Sequence, residues 1–347
     1  MVEWARSLWR HARLPDVQFL DYASDPQGYL PLRESIAEFV CRYRGFECDP
    51  GQVLIAMGLQ QALDLAARLH VEQGDTVVVE NPSYPGARNT FKAHGCDLLP
   101  VPVDESGLVV ERLPDASAGR YKLTYVTPSH QFPTGAVLSL RRRLELLAWA
   151  ARAQALIFED DYDSEYRYEG RPIQALKALD KHGSVVYVGN FNQVMFPGLS
   201  LCYLIVPAHL VELYASARWL AGEQLPVQVQ AALALFMQEG HLDRHMKRLR
   251  ALYGERRQLL LESLSRYLGE RVVVRGDNAG VFVLARFVSK LTDKEITTRA
   301  AAAGVGLMST KDFYLGQAQG NEFILGYGNL TERQIQEGVR RLAKVLA

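Results

Sequence analysis

The sequence predicts an α/β protein: a doubly wound lobe on a central, mostly parallel sheet covered by helices, followed by a smaller α+β lobe. Three observations carry this. Apolar runs of strand length recur through the first part of the chain, helical patterns lie between them, and from about Pro226 the texture changes to long charged helix followed by short strands.

The runs, in order, are QVLIA (52–56), TVVVE (76–80), YKLTYV (121–126), ALIFE (155–159), VVYVG (185–189) and CYLIV (202–206). They are continuously apolar rather than alternating, so both faces of their sheet are covered. QQALDLAARL (60–69) and LRRRLELLAWAARA (140–153) supply helices between them. Beyond Pro226 come GHLDRHMKRLRALYGERRQLLLESLSRYL, strands in RVVVRG, GVFVLARF and EFILGYG, and a terminal helix after Leu330.

With 347 residues, 48% of them hydrophobic and 22% charged, the chain supports a large globular core. Lys+Arg and Asp+Glu both number 39, so no net field favours nucleic acid or an anionic membrane. The four cysteines lack metal-site or CxxC spacing, and the N-terminus lacks a signal-type apolar core, which points to a reduced, cytoplasmic protein. No run reaches the roughly 20 apolar residues needed to span a bilayer.

Ligands of open α/β sheets bind beyond the carboxyl ends of the strands. Four such places stand out. Gly58 opens a helix in MGLQQALDL, where free N–H groups can hold a phosphate; a glycine permitting a tight turn is the plainer reading. Tyr84, in NPSYPGA, sits on a proline-bracketed loop where a ring can stack on a flat ligand. DDYDSEYRY places Asp160 beside Tyr162 at a strand end, an arrangement suited to a protonated ring nitrogen and a phenolate-like oxygen, although a solvated acidic loop remains open. The fourth place is GNFNQVMFPGLSLCY (189–203), a loop of catalytic outline without lysine, arginine, histidine or acid. No metal site is expected: His241 and His245 lie four apart but have no third ligand.

Together these segments, with DPQGYLPLRESIAEF, VTPSHQFPTG and LGYGNLTERQIQEGVRRLA, make the chain similar to the aminotransferase-like domain of MocR-type regulators, within the fold-type I aminotransferases. The resemblance implies pyridoxal phosphate as the ancestral ligand. Asp160 would face its pyridine nitrogen, Tyr162 its O3′ and Tyr84 its ring, with Gly58 and Gln60 at the phosphate. Tyr29 would reach toward the site of a partner subunit, so a homodimer is expected. The corresponding division is an N-terminal segment 1–40 associated with the small lobe and the dimer interface, a large lobe 41–225, and an interdomain helix with the small lobe, 226–347. The family's winged-helix domain is expected to be absent.

The departures decide the functional expectation. The family's Schiff-base lysine falls on Gln193, its phosphate-gripping arginine on Ser200, and two neighbouring hydroxyls on Asn190 and Asn192. The arginine for a substrate carboxylate falls on Ile324. A carboxamide forms no covalent link to the cofactor and carries no proton as lysine does. The expectation is therefore no covalent cofactor, with non-covalent pyridoxal phosphate or its adduct not favoured. In its place the former cofactor cleft binds, and in one reading transforms, a small amino-acid-derived or aromatic ligand, with Asp160, Tyr162 and His130 as candidate catalytic groups. Two alternatives stand beside it: a lysine-less pseudo-subunit or regulatory protein forming a heterodimer with an active homologue, and an engineered Lys→Gln variant. Several positions depart together, which speaks against the last.

Overall fold

The computed structural model describes residues 2–13, 25–169, 173–221 and 226–346. Part of the expected 1–40 segment, residues 14–24, lies outside them. Eight strands form the large sheet: β1 (Val53–Met57), β2 (Thr76–Asn81), β3 (Asp97–Asp104), β4 (Gly107–Leu108), β5 (Tyr121–Val126), β6 (Leu156–Asp161), β7 (Val185–Asn190) and β8 (Leu201–Ile205), in spatial order β1-β8-β7-β6-β5-β2-β3-β4. The run β7-β6-β5-β2-β3 is parallel, while β8 is antiparallel to both its neighbours and β4 pairs antiparallel with β3. All six expected strands are present. The sequence pattern misses β3, DLLPVPVD, because Pro100 and Pro102 interrupt its apolar run. Two residues apart, both prolines turn their missing N–H to the same side, which suits a strand near a sheet edge.

Helices cover both faces. The helix α3 (Gly58–His70) follows β1, and α5 (Leu140–Ala153) starts where Ser139 Oγ accepts the Arg142 N–H at 3.4 Å. Several helices escape the sequence pattern, among them α4 (Pro85–Ala93), α6 (Val211–Leu220) and a packed pair, α1 (Val2–Arg13) and α7 (Val227–Gln238). The last is apolar nearly all round, so it shows no helical stripe. It lies buried against α1, where the Phe236 and Trp4 rings meet edge-on at 6.0 Å, and against α2 (Leu30–Arg44).

The charged helix α8 (His241–Leu268) is 28 residues long, about 42 Å at the usual rise. Its start, through Leu242 and Met246, joins the core beneath the large sheet; its end, through Leu260, Leu264 and Leu268, joins the core of the small lobe. One rod therefore fixes both lobes. The small lobe is an antiparallel sheet of β9 (Val272–Arg275), β10 (Phe282–Phe287), β11 (Met308–Ser309) and β12 (Glu322–Gly326) in order β11-β12-β10-β9, closed by α9 (Asp293–Ala302) and α10 (Glu332–Val345). Both helices begin with a capping box, Thr292 with Glu295 and Thr331 with Gln334. Among the described residues, no helix is long and apolar enough to cross a membrane.

Candidate functional site

Because β1 and β7 both run antiparallel to β8, they end on the same edge of the sheet as β2, β5 and β6. The loops leaving that edge carry the candidate residues. At one end, Met57 closes β1 and Gly58 opens α3 with φ 72°, a conformation that costs glycine little. A Cβ on Gly58 would stand 3.2 Å from Ser200 Oγ. Two residues far apart in sequence thus meet at the mouth of one helix. Gln60 ties in the next loop: its Nε2 donates to Tyr84 Oη at 3.2 Å, while its Oε1 accepts from Thr90 Oγ1 at 2.9 Å.

Tyr84 leads into an aromatic cluster centred on Phe132, whose ring lies 6.3 Å from that of Tyr84, 5.8 Å from Tyr162, 5.5 Å from Phe282 and 5.3 Å from Phe313. Phe282 and Phe313 belong to the small lobe, so the cluster joins both lobes. The same junction is clasped by polar bonds. Ser83 N–H and Arg88 Nη1 both donate to the Phe313 carbonyl, at 2.9 and 3.0 Å, Arg88 Nη2 donates to the Asp312 carbonyl, and Asn81 exchanges two bonds with the Leu315 backbone.

Beside the cluster, Asp160 is the penultimate residue of β6 and is only 3% exposed. Its Oδ2 accepts from Tyr125 Oη at 2.6 Å; among the described residues nothing donates to the buried Oδ1. Burial raises its pKa to about 7, against the pull of the Tyr125 bond. A desolvated carboxylate oxygen with no donor is costly unless a ligand supplies one.

His130 is 2% exposed, with Nδ1 2.9 Å from Asp163 Oδ2 and 3.1 Å from Tyr162 Oη. Burial alone would lower its pKa, but Asp163 outweighs that and raises it. Gly280 must be glycine here, since a Cβ would stand 2.4 Å from both the His130 ring and Asp163. His130 is thus an enclosed partner of Tyr162, a residue that is itself half-buried.

The GNFNQVMFPGLSLCY loop leaves β7. Tyr166 Oη donates to the Gln193 carbonyl at 2.8 Å, and Asn190 Oδ1 accepts the Asn192 N–H at 3.1 Å. Asn192 Oδ1 is buried and has no donor among the described residues. Gln193 itself is half-buried. Tyr29 caps α2 with its N–H donating to Gln230 Oε1 at 2.9 Å, and its ring packs on the core of its own chain. Ile324 alternates with the core residues Phe323 and Leu325 of β12 and is paired with Leu284 of β10, on the face that carries Phe282. An aliphatic side chain therefore stands on the sheet face turned toward the cleft.

Sequence reasoning missed Tyr125, Glu80 and Arg44. Glu80 is buried and holds Thr127 and Gln131, with its pKa raised by burial to about 7. Arg44 lies with Nε 2.5 Å from Asp161 Oδ2, which also accepts from Tyr187 Oη at 2.6 Å. The doubled acid in FEDDYD was the available signal, since two adjacent strand-end acids face opposite sides of the sheet and the second requires its own partner. Arg44→Met is expected to cost about 3–5 kcal/mol in denaturant unfolding by leaving Asp161 buried and unpaired.

These groups fit pyridoxal phosphate at its ring: Asp160 Oδ1 awaits a donor, Tyr162 offers a hydroxyl and Tyr84 flanks the space. The anchoring end does not fit, because Gln193 forms no covalent link and Ser200 brings no charge to Gly58.

The family model for class I and II aminotransferases matches residues 18–342. The chain is 37% identical over 341 residues to the probable rhizopine catabolism regulatory protein MocR of Rhizobium meliloti, covering 98% of this chain and 68% of that protein. Among solved structures it resembles the α-aminoadipate aminotransferase LysN of Thermus thermophilus, solved with N-(5′-phosphopyridoxyl)-L-leucine, with TM-score 0.89, 30% identity and coverage of 99% of this chain and 87% of that one. The kynurenine aminotransferase of Pyrococcus horikoshii gives TM-score 0.90 at 28% identity, with coverage of 99% and 86%. The fold of fold-type I aminotransferases, with its large mostly parallel sheet and smaller antiparallel one, is thus shared throughout, and this chain belongs to the class I and II aminotransferase family.

Proposed function

We propose that this protein binds a small amino-acid-derived or aromatic ligand non-covalently in the former cofactor cleft, and does not carry out transamination through a covalently held pyridoxal phosphate. The observation that carries this reading is Asp160 Oδ1, a buried acceptor without a donor beside the aromatic cluster. It calls for a ligand with a ring or amine N–H. The opposite end, formed by Gly58, Ser200 and the Gln193 loop, offers neutral hydrogen-bonding groups in place of a cation, so a dianionic phosphate gains little there. Where the ligand is transformed, Tyr162 acts as a hydrogen-bond donor at its hydroxyl, because burial raises its pKa well above the usual tyrosine value and keeps it protonated.

A homodimer belongs to this reading: Leu30 and Met57 are exposed apolar side chains beside Tyr29 and Gly58. A second copy, or a lysine-bearing homologue, would cover them.

The test is to add pyridoxal phosphate to the purified protein and record the visible spectrum and intact mass with and without borohydride. No reducible adduct is expected. An adduct in the cleft would overturn the reading. In parallel, Tyr162→Phe should weaken binding of, or abolish turnover of, any ligand found by screening amines and nitrogen heterocycles.

A further inference from the structure

A concavity of about 370 Å³ lies between the end of α2, the segments around Ser129 and Ser164, and the side of α8. It shares none of the candidate residues of the cleft, although Ser129 and Ser164 are chain neighbours of His130 and Asp163. Its lining is rich in arginine, and those arginines differ in how their charge is met.

Arg42 is neutralised by Asp243 at 2.6 Å, and Arg44 by Asp161. Arg250 uses Nε and Nη2 on the main-chain carbonyl of Glu165, at 2.9 and 2.5 Å, which supplies no charge. Among the described residues, the buried Nε of Arg167 has no acceptor. Among the described residues, neither Arg167 nor Arg250 has a carboxylate within ion-pairing distance. Ser164 Oγ, of a residue on the same lining, is buried and has no partner among the described residues. The one carboxyl on the lining, Glu165, has its pKa raised by burial to about 7, so it opposes the arginines only in part.

Two guanidinium groups without an ion-pair partner among the described residues and an orphaned hydroxyl thus line a cavity large enough for a small metabolite. Guanidinium forks match carboxylate and phosphate oxygens in geometry as well as charge. We propose that this concavity is a binding site for a small oxyanion, a carboxylate or a phosphate, held by Arg167 and Arg250 with Ser164 donating. The site is separate from the cleft, and Ser129 and Ser164 on its lining adjoin His130 and Asp163 in the chain.

Calorimetric titration of the full chain with malonate and with inorganic phosphate, each against sodium chloride at matched ionic strength, tests this. Saturable binding of at least one oxyanion is expected. Arg167→Met and Arg250→Met should each weaken it roughly tenfold or more, the scale of one charge-assisted hydrogen bond. Ser200→Ala, in the cleft, should leave it unchanged. Preference for malonate assigns a planar carboxylate, and preference for phosphate a tetrahedral anion. Should either methionine variant not fold, Arg167→Lys and Ser164→Ala replace it, and both should weaken binding by losing the fork and the hydroxyl. The proposal is overturned if no oxyanion binds above the chloride control, if the arginine variants bind as the parent does, or if Ser200→Ala abolishes the binding.

Discussion

Replacing Gln193 by lysine together with Ser200 by arginine is expected to convert the cleft into one that captures pyridoxal phosphate covalently, where the parent protein does not. The scaffold for both side chains is present. The Gln193 backbone is held by Tyr166 Oη, Ser200 already sits in a left-handed conformation with its Oγ facing Gly58, and Asp160 Oδ1 stands free for a ring N–H. Arginine at 200 would bring a cation to the α3 mouth, and one charge-assisted contact contributes about 1.5–3 kcal/mol, roughly ten- to hundredfold in affinity. Lysine at 193 adds the covalent link. The expected readout is a visible absorption band and a borohydride-fixed mass increase in the double variant, both absent from the parent. A folded double variant that gains neither would show that the match of these positions to the family's lysine and arginine is wrong. Equal capture by Gln193→Lys alone would show that Ser200 does not stand at the phosphate.

Much of this cleft is legible in the sequence because it is assembled from strand ends. Continuous apolar runs locate the strands, and the residues just after each run must lie at the sheet edge, so Gly58, Tyr84, Asp160 and Gln193 emerge from local pattern. The partners of those residues do not. Tyr125 reads as one more apolar strand residue, and that it bonds Asp160 depends on β5 lying next to β6. Arg44 reads as a basic residue in the last turn of a helix, an ordinary solvated position; only the packing of α2 against the sheet makes it the counter-charge of Asp161. His130 stands out as a candidate acid or base by residue type, but its burial against Asp163 and Gly280 lies beyond any local pattern. The clasp between Arg88 and the Asp312 and Phe313 carbonyls joins segments over two hundred residues apart and uses main-chain acceptors, which no side-chain pattern announces.

Asp160→Asn is expected to stabilise the protein at pH 8 while weakening its ligand binding. Asp160, Glu80, Glu159 and Glu165 all have pKa values raised to about 7, in each case chiefly by burial. An aspartate in the unfolded chain titrates near 3.9. The folded protein therefore holds this proton more tightly than the unfolded chain does. The stabilisation is full below about pH 4 and is lost as pH rises through about 7. For Asp160 the shift of about three units corresponds to at most about 4 kcal/mol at 1.36 kcal/mol per unit. Asparagine keeps an oxygen for Tyr125 Oη and removes the charge, so the variant should gain on the parent between pH 5 and 8 and match it near pH 4. Urea unfolding across that range measures the difference, and an asparagine variant less stable than the parent at pH 8 would show that the carboxylate is satisfied rather than stranded. Such a stranded charge has a use only when something binds it. A ligand that donates a proton-bearing nitrogen to Oδ1 favours the ionised form, pulls the Asp160 pKa back down and recovers the lost stability. Ligand binding should thus strengthen as pH rises toward 7 in the parent, for as long as the ligand nitrogen keeps its proton, and show no such dependence in the asparagine variant.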